Sequence, residues 1–301
     1  MNPLEVSRRR SLLEDLLLTY AQRFPLRRGK LRVIEALWRA AIPDHYATRL
    51  AILRYGGFKL PCDLREDLQR QYYFFGTYFL EEHILSCWQE QAKTANVIFD
   101  IGANLGIFSF AALAANPNAI VHAFEPTPEI ATQLQRAAEL NRLCNLNVHE
   151  TAVSSNTGYA KLNRCLGDRG TNGGMNFIYG NAQEGDSNRV TTVRLDDFCN
   201  EHRIGHIDLL KIDVQGHEKD VFVGADRLIR TGNVGLILFE LNWAADPTQP
   251  CSARGSIQLL EQYGYQFSAI RKKQRWLNSG SWLYGLSDVL ARKAPNSEPC
   301  A

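Results

Sequence analysis

The sequence predicts an α/β fold: a doubly wound (Rossmann-like), mostly parallel sheet behind a helical amino-terminal extension. Three observations predict it. Short apolar runs alternate with helical patterns from Asn96 onward, a Gly-rich turn follows the first run, and acids close later runs at Glu125, Asp213 and Glu240. Apolar strands separated by helices call for a parallel sheet covered on both faces, and such sheets bind ligands outside the carboxyl ends of their strands.

Residues 1–92 read as a helical extension. Leu12, Leu13, Leu16, Leu17 and Tyr20 recur at helical spacing, and Ile34, Leu37, Trp38 and Ala41 continue the pattern as far as Pro43. A strand-like piece over 50–60 turns at Gly56-Gly57, and 68–88 is an aromatic helical region interrupted at Gly76. The regular alternation occupies 93–293. Val97–Ile101 is a strand leading to a helix near 106–115, and Ala119–Phe124 is the next strand. Thr127 caps a helix opened by Pro128, and 146–150 is a third strand. Ile207–Ile212 and Val234–Phe239 are two further strands, separated by a helix around 218–229. The stretch 167–189, rich in Gly, Asn, Asp and Ser, reads as a long loop, and loops of that length inside a domain are commonly functional. It is expected to be a substrate lid. Residues 294–301 read as a tail.

At 301 residues the chain can bury a full core, and its formal net charge of +2 argues against a dedicated nucleic-acid binder. The charge is uneven: residues 1–54 hold eleven Lys and Arg against five acids. A solvated helical cap accounts for that excess, as does docking to an anionic partner or membrane surface. Seven scattered cysteines without a CxxC pair predict reduced thiols in a cytoplasm. The Leu12–Leu18 stretch is broken by Glu14 and Asp15, so no signal peptide is expected, and no run of about 18 apolar residues predicts a membrane span.

Three words carry chemistry. Asp100-Ile101-Gly102-Ala103-Asn104-Leu105-Gly106 is a strand–turn–helix in which small residues let backbone approach a nucleotide. A dinucleotide pattern GxGxxG would need glycines at 102, 104 and 107, and the last two are Asn and Ile. An acid followed by Gly-x-(Gly/Asn)-x-Gly, the pattern of S-adenosylmethionine sites, is complete. Glu125 is placed to accept hydrogen bonds from both ribose hydroxyls. In the word over 208–218, Asp213 falls at a strand end and His217 with Glu218 opens the next helix, although Asp213 as a plain helix cap fits too. Glu240 lies on the same rim. Asp213, His217 and Glu218 lack the spacing of a metal site, and none is expected.

Together these words resemble the FkbM family, class I methyltransferases that use S-adenosylmethionine. The match runs in order through FDIGANLGIFS (99–109), AFEP (123–126), VRLDDF (193–198), DLLKIDVQGHE (208–218), LFEL (238–241), LLEQYGYQF (259–267) and SDVLARK (287–293), with aromatic words at 73–81, over roughly residues 50–293. The resemblance implies a seven-stranded sheet ending in an antiparallel hairpin drawn from 265–270 and 286–291. It implies methylation of hydroxyls on sugars, polyketides or related small metabolites. Asp100, Gly102, Asn104 and Gly106 would line the methionine end, Glu125 the ribose, and Tyr78 and Glu81 would close over the cofactor. Gln215 and His217 stand where many relatives carry an acid and a small residue. Asp213, at the strand end, is expected to contact the cofactor as well as the acceptor. His217 or Asp213 is the expected general base, with Glu240 orienting the acceptor. Two other classes compete: a non-catalytic relative acting as a binding module, and a nicotinamide oxidoreductase, against which the failed GxGxxG counts.

Overall fold

The computed structural model describes residues 10–24, 29–42, 48–163, 166–167, 170–171, 176–241, 252–270, 277 and 288–294. Its amino-terminal part is helical, with α1 (Leu12–Arg23) and α2 (Lys30–Ala41) followed by a hairpin of β1 (Thr48–Ile52) and β2 (Lys59–Asp63). The expected aromatic helical region is two helices, α3 (Asp67–Phe75) and α4 (Glu82–Ala92). Gly76 ends the first of them in the left-handed conformation, the usual glycine stop.

The main sheet begins with β3 (Val97–Ile101), α5 (Ile107–Ala115), β4 (Ile120–Phe124), α6 (Pro128–Leu140) and β5 (Leu146–His149). After an intervening segment it continues with β12 (Ile207–Ile212), α8 (Glu218–Gly224), α9 (Asp226–Arg230), β13 (Val234–Glu240), α10 (Ser252–Gln262), β14 (Tyr265–Ala269) and β15 (Asp288–Lys293). The helix expected over 218–229 is therefore broken at Ala225. Strand order is β14-β15-β13-β12-β3-β4-β5. Five strands are parallel, and β15 runs antiparallel to both β13 and β14, which is the hairpin the resemblance implied. Strand order reverses between β3 and β12, so the crevice there is the topological switch point.

The intervening segment differs from expectation. It holds β6 (Ala152–Val153), β7 (Gly158–Asn163), β8 (Leu166–Gly167), β9 (Gly170–Thr171), β10 (Phe177–Asn181), β11 (Arg189–Val193) and α7 (Leu195–Glu201). Much of the stretch over 167–189 is thus paired backbone: β10 and β11 flank β7 in a second sheet of order β10-β7-β11-β6. The physical reason is a small apolar cluster of Ala152, Ala160, Leu162, Ile178 and Val190, to which β7 contributes two alternate residues and β6, β10 and β11 one each. Composition hid this, because short apolar words such as Phe177–Tyr179 stand among Gly, Asn, Asp and Ser.

One apolar cluster runs from Leu17 and Trp38 through Tyr72, Phe74 and Trp88 to Phe110, Val121, Leu209 and Leu290. It packs the helical extension and α5 against one face of the sheet. The other face is covered through Phe99, Phe198, Phe222, Phe239 and Leu260.

Candidate active site

A cavity of about 390 Å³ opens at the switch point. Its floor is the turn after β3. Gly102 has φ +73°, and a Cβ there would stand 1.9 Å from the Asp213 carbonyl oxygen, so only glycine lets the turn lie against the end of β12. The amides of Gly102 and Ala103 donate to the Phe124 carbonyl at 3.0 and 2.9 Å, tying the turn to β4 as well. Asn104 follows at φ 50°. Gly106, at φ +78°, turns the chain into α5, and a Cβ there would meet Leu134 at 2.5 Å.

Glu125, beyond β4, is buried. Its Oε2 accepts from the Asn104 amide at 3.0 Å and its Oε1 from the Thr127 amide at 2.8 Å. Burial raises its affinity for a proton, and those two donors oppose the rise. The Thr127 hydroxyl bonds Glu125 as well, and the carboxylate's remaining acceptor capacity is what a ligand hydroxyl would use.

The structure divides the expected site residues into two groups. Gly102, Asn104, Glu125, Tyr78, Glu81, Asp213, His217 and Glu240 all border the cavity. Asp100 and Gly106 lie behind it. Asp100 is fully buried behind the turn, where its Oδ2 accepts from Ser109 Oγ at 2.7 Å and its Oδ1 lies 3.5 Å from Lys211 Nζ. Gly106 serves the turn geometry.

Lys211 is the residue that the sequence reading passed over. Its ammonium, almost wholly buried, donates to the Gly102 carbonyl at 3.0 Å and stands 3.4 Å from Asp213 Oδ2, over the Phe108 ring at 4.9 Å. Burial alone would favour neutral lysine, but Asp213 and Asp100 reverse that, so Lys211 stays charged. Burial would likewise raise Asp213. Lys211, with hydrogen bonds from Glu240 and Gln215, holds it below the ordinary aspartate value instead. The signal was available: a lysine in a buried strand two residues from an acid needs a partner.

Gln215, at φ 53°, uses its amide nitrogen to bridge Asp213 Oδ1 at 2.9 Å and Glu240 Oε2 at 3.0 Å. Burial, then the Asp213 charge, pushes Glu240 up to about 9. Burial, Asp213 and Asp288 push Glu81 up to about 8. Burial and Glu81 push Tyr78 up to about 12. Burial and the Asp213 charge thus favour the neutral forms of Glu240 and Glu81, while Lys211 and Gln215 favour the ionised form of Asp213. His217 is kept neutral by burial, and both ring nitrogens face partners: Nε2 stands 3.0 Å from Ser154 Oγ and Nδ1 3.4 Å from Asp220. Glu218 turns back to the Gly216 amide at 2.9 Å. Among the described residues no group of three or more His, Cys, Asp or Glu side chains is arranged to hold a metal ion.

Sheet order, glycine turn and cavity define a Rossmann-like α/β protein with a ligand chamber at its switch point. Residues 100–267 match the methyltransferase FkbM domain, and the chain belongs to that family. It is 30% identical over 205 residues to the AMB antimetabolite synthetase AmbE of Pseudomonas aeruginosa, covering 57% of this chain and 10% of that one. It is 29% identical to the 31-O-demethyl-FK506 methyltransferase FkbM of Streptomyces tacrolimicus, covering 45% and 62%. With the 2-O-methyltransferase NoeI of Sinorhizobium fredii the identity is 32%, covering 44% and 58%. The matched region thus spans a tenth of AmbE and about three fifths of the other two relatives.

Proposed function

We propose that the protein is an S-adenosylmethionine-dependent methyltransferase that methylates a hydroxyl of a sugar, polyketide or related small metabolite. The observation that carries the reading is the Gly102 turn, packed against the end of β12 too closely for any side chain and tied through the Asn104 amide to the Glu125 carboxylate beside it. That pairing suits an adenosyl group: bare backbone for the amino-acid end, a buried acceptor for the ribose hydroxyls. Two relatives named as O-methyltransferases support the acceptor class. Seven cysteines scattered without a CxxC pair support a reducing, cytoplasmic setting. The cavity volume suits a small-molecule acceptor.

In this reading Gly102 and Asn104 hold the amino-acid end and Glu125 the ribose, with Tyr78 and Glu81 closing over them. When bound, the cofactor supplies a sulfonium-activated methyl group for in-line attack by the acceptor oxygen. Positioning then supplies much of the rate. Asp213 is the proton acceptor. Its low basicity is no obstacle, because an alcohol oxygen becomes strongly acidic as its new bond to carbon forms. Glu240, whose proton is given to Asp213, orients the acceptor from the end of β13. His217 positions the start of α8, since neither ring nitrogen is directed to the cavity without a partner.

Turnover of labelled cofactor against a panel of sugar and polyketide alcohols tests this. Asp213→Asn is expected to bind cofactor as the wild type does and to lose about 10²–10⁴-fold in turnover. Undiminished turnover removes Asp213 from the mechanism, and transfer to amines but not alcohols overturns the acceptor class.

A further inference from the structure

Helix α1 is turned with a carboxylate inward and leucines outward. Glu14 is 1% exposed. Its carboxylate accepts from Arg49 Nε at 3.2 Å, from the Tyr73 hydroxyl and from the Ser11 amide of a capping box. At about 100° per residue, Leu12 and Leu16 fall opposite Glu14. They are 80% and 57% exposed. Helix α2 runs antiparallel beside α1: Ser11 Oγ donates to the Ala41 carbonyl, and Lys30 Nζ donates to the Ala21 carbonyl at 2.7 Å. It adds exposed Val33 and Leu37.

The charge on this hairpin is one-sided. Arg23, Arg32 and Arg39 are exposed and make no ion pair among the described residues. Of the acids, Glu14 is buried on Arg49, Glu35 is bound by the buried Arg70, and Asp15 faces Arg10 at 3.9 Å. Exposed leucines beside such arginines are the composition of a helix lying in a lipid interface. Among the described residues no helix is long and apolar enough to cross a membrane, so the contact is peripheral. We infer that the outward face of the α1–α2 hairpin docks on an anionic lipid surface. The hairpin rests on α3 through Glu14–Tyr73 and Glu35–Arg70, and α3 supplies Gln71 and Leu68 to the cavity wall. Docking therefore leaves the hairpin and α3 between the lipid and the cavity.

Flotation of the full chain with phosphatidylcholine vesicles, with and without phosphatidylglycerol, tests the inference independently of methyl transfer. Binding is expected only with phosphatidylglycerol and is expected to weaken as salt rises. L12D/L16D, with unchanged circular dichroism, is expected to lower the bound fraction roughly tenfold or more. R32E/R39E removes binding by the other route, each arginine accounting for about fivefold in partitioning. Three results would overturn the inference: no flotation with the anionic vesicles, undiminished flotation of L12D/L16D, or a wild-type dimer in sedimentation that L12D/L16D converts to monomer, which makes the face a contact between copies.

Discussion

Asp213 and Glu240 lie at the ends of neighbouring strands and differ in protonation because of what touches them. Lys211 and the Gln215 amide stabilise charge on Asp213, while burial and that same charge keep Glu240 protonated. Gln215 bridges both carboxyls, and an amide suits the position because its two N–H groups satisfy two acceptors without adding a third charge. Gln215→Leu removes one of the hydrogen bonds that keep Asp213 ionised, so the Asp213 pKa rises. The acidic limb of the kcat/KM profile, which follows ionisation of the base, is expected to move to higher pH while cofactor affinity holds. A limb that stays in place would show that Gln215 does not tune Asp213.

Among elements, β10 changes the picture most. Ile178 and Asn176 border the cavity from the second sheet, and Asn176 Nδ2 reaches Thr127 Oγ1 at 3.3 Å, beside the Glu125 loop. This supports the proposal that the segment over 167–189 meets the acceptor, as a strand-built wall. Ile178→Ala, which removes three carbons, is expected to raise the acceptor KM about tenfold or more, since one methylene in an apolar pocket is worth about 10–200-fold, with cofactor affinity unchanged. An equal loss for both ligands would place β10 over the cofactor. Long apolar runs such as Val97–Ile101 and Ile207–Ile212 were legible as strands, and the acids at their ends marked the rim. The strands β7, β10 and β11 were not, because each contributes only one or two residues to their apolar cluster and they pair across long intervals. Asp100 was read as a ligand because its word points to a cofactor. Only the packing shows that its carboxylate faces Ser109 and Lys211.

For the molecule as a whole, the rim acids couple stability to pH. Glu240 moves from 4.5 to about 9 and Glu81 from 4.5 to about 8 on folding. Between those values the folded state binds more protons than the unfolded one, so stability falls as pH rises from about 4.5 through 9. Thermal midpoints across that window are expected to decline, and Glu81→Gln with Glu240→Gln to flatten the decline. An unchanged slope in the double variant would assign it to other groups. The fold, the turn and the rim all converge on one claim, that the crevice between β3 and β12 is built around S-adenosylmethionine. Calorimetric titration of the purified chain tests it most directly. One site per chain is expected for S-adenosylmethionine or its demethylated product, none for NAD, and none in a folded Gly102→Val variant, whose side chain would have to occupy the turn. No heat with either adenosyl ligand, or equal binding by Gly102→Val, would contradict the account.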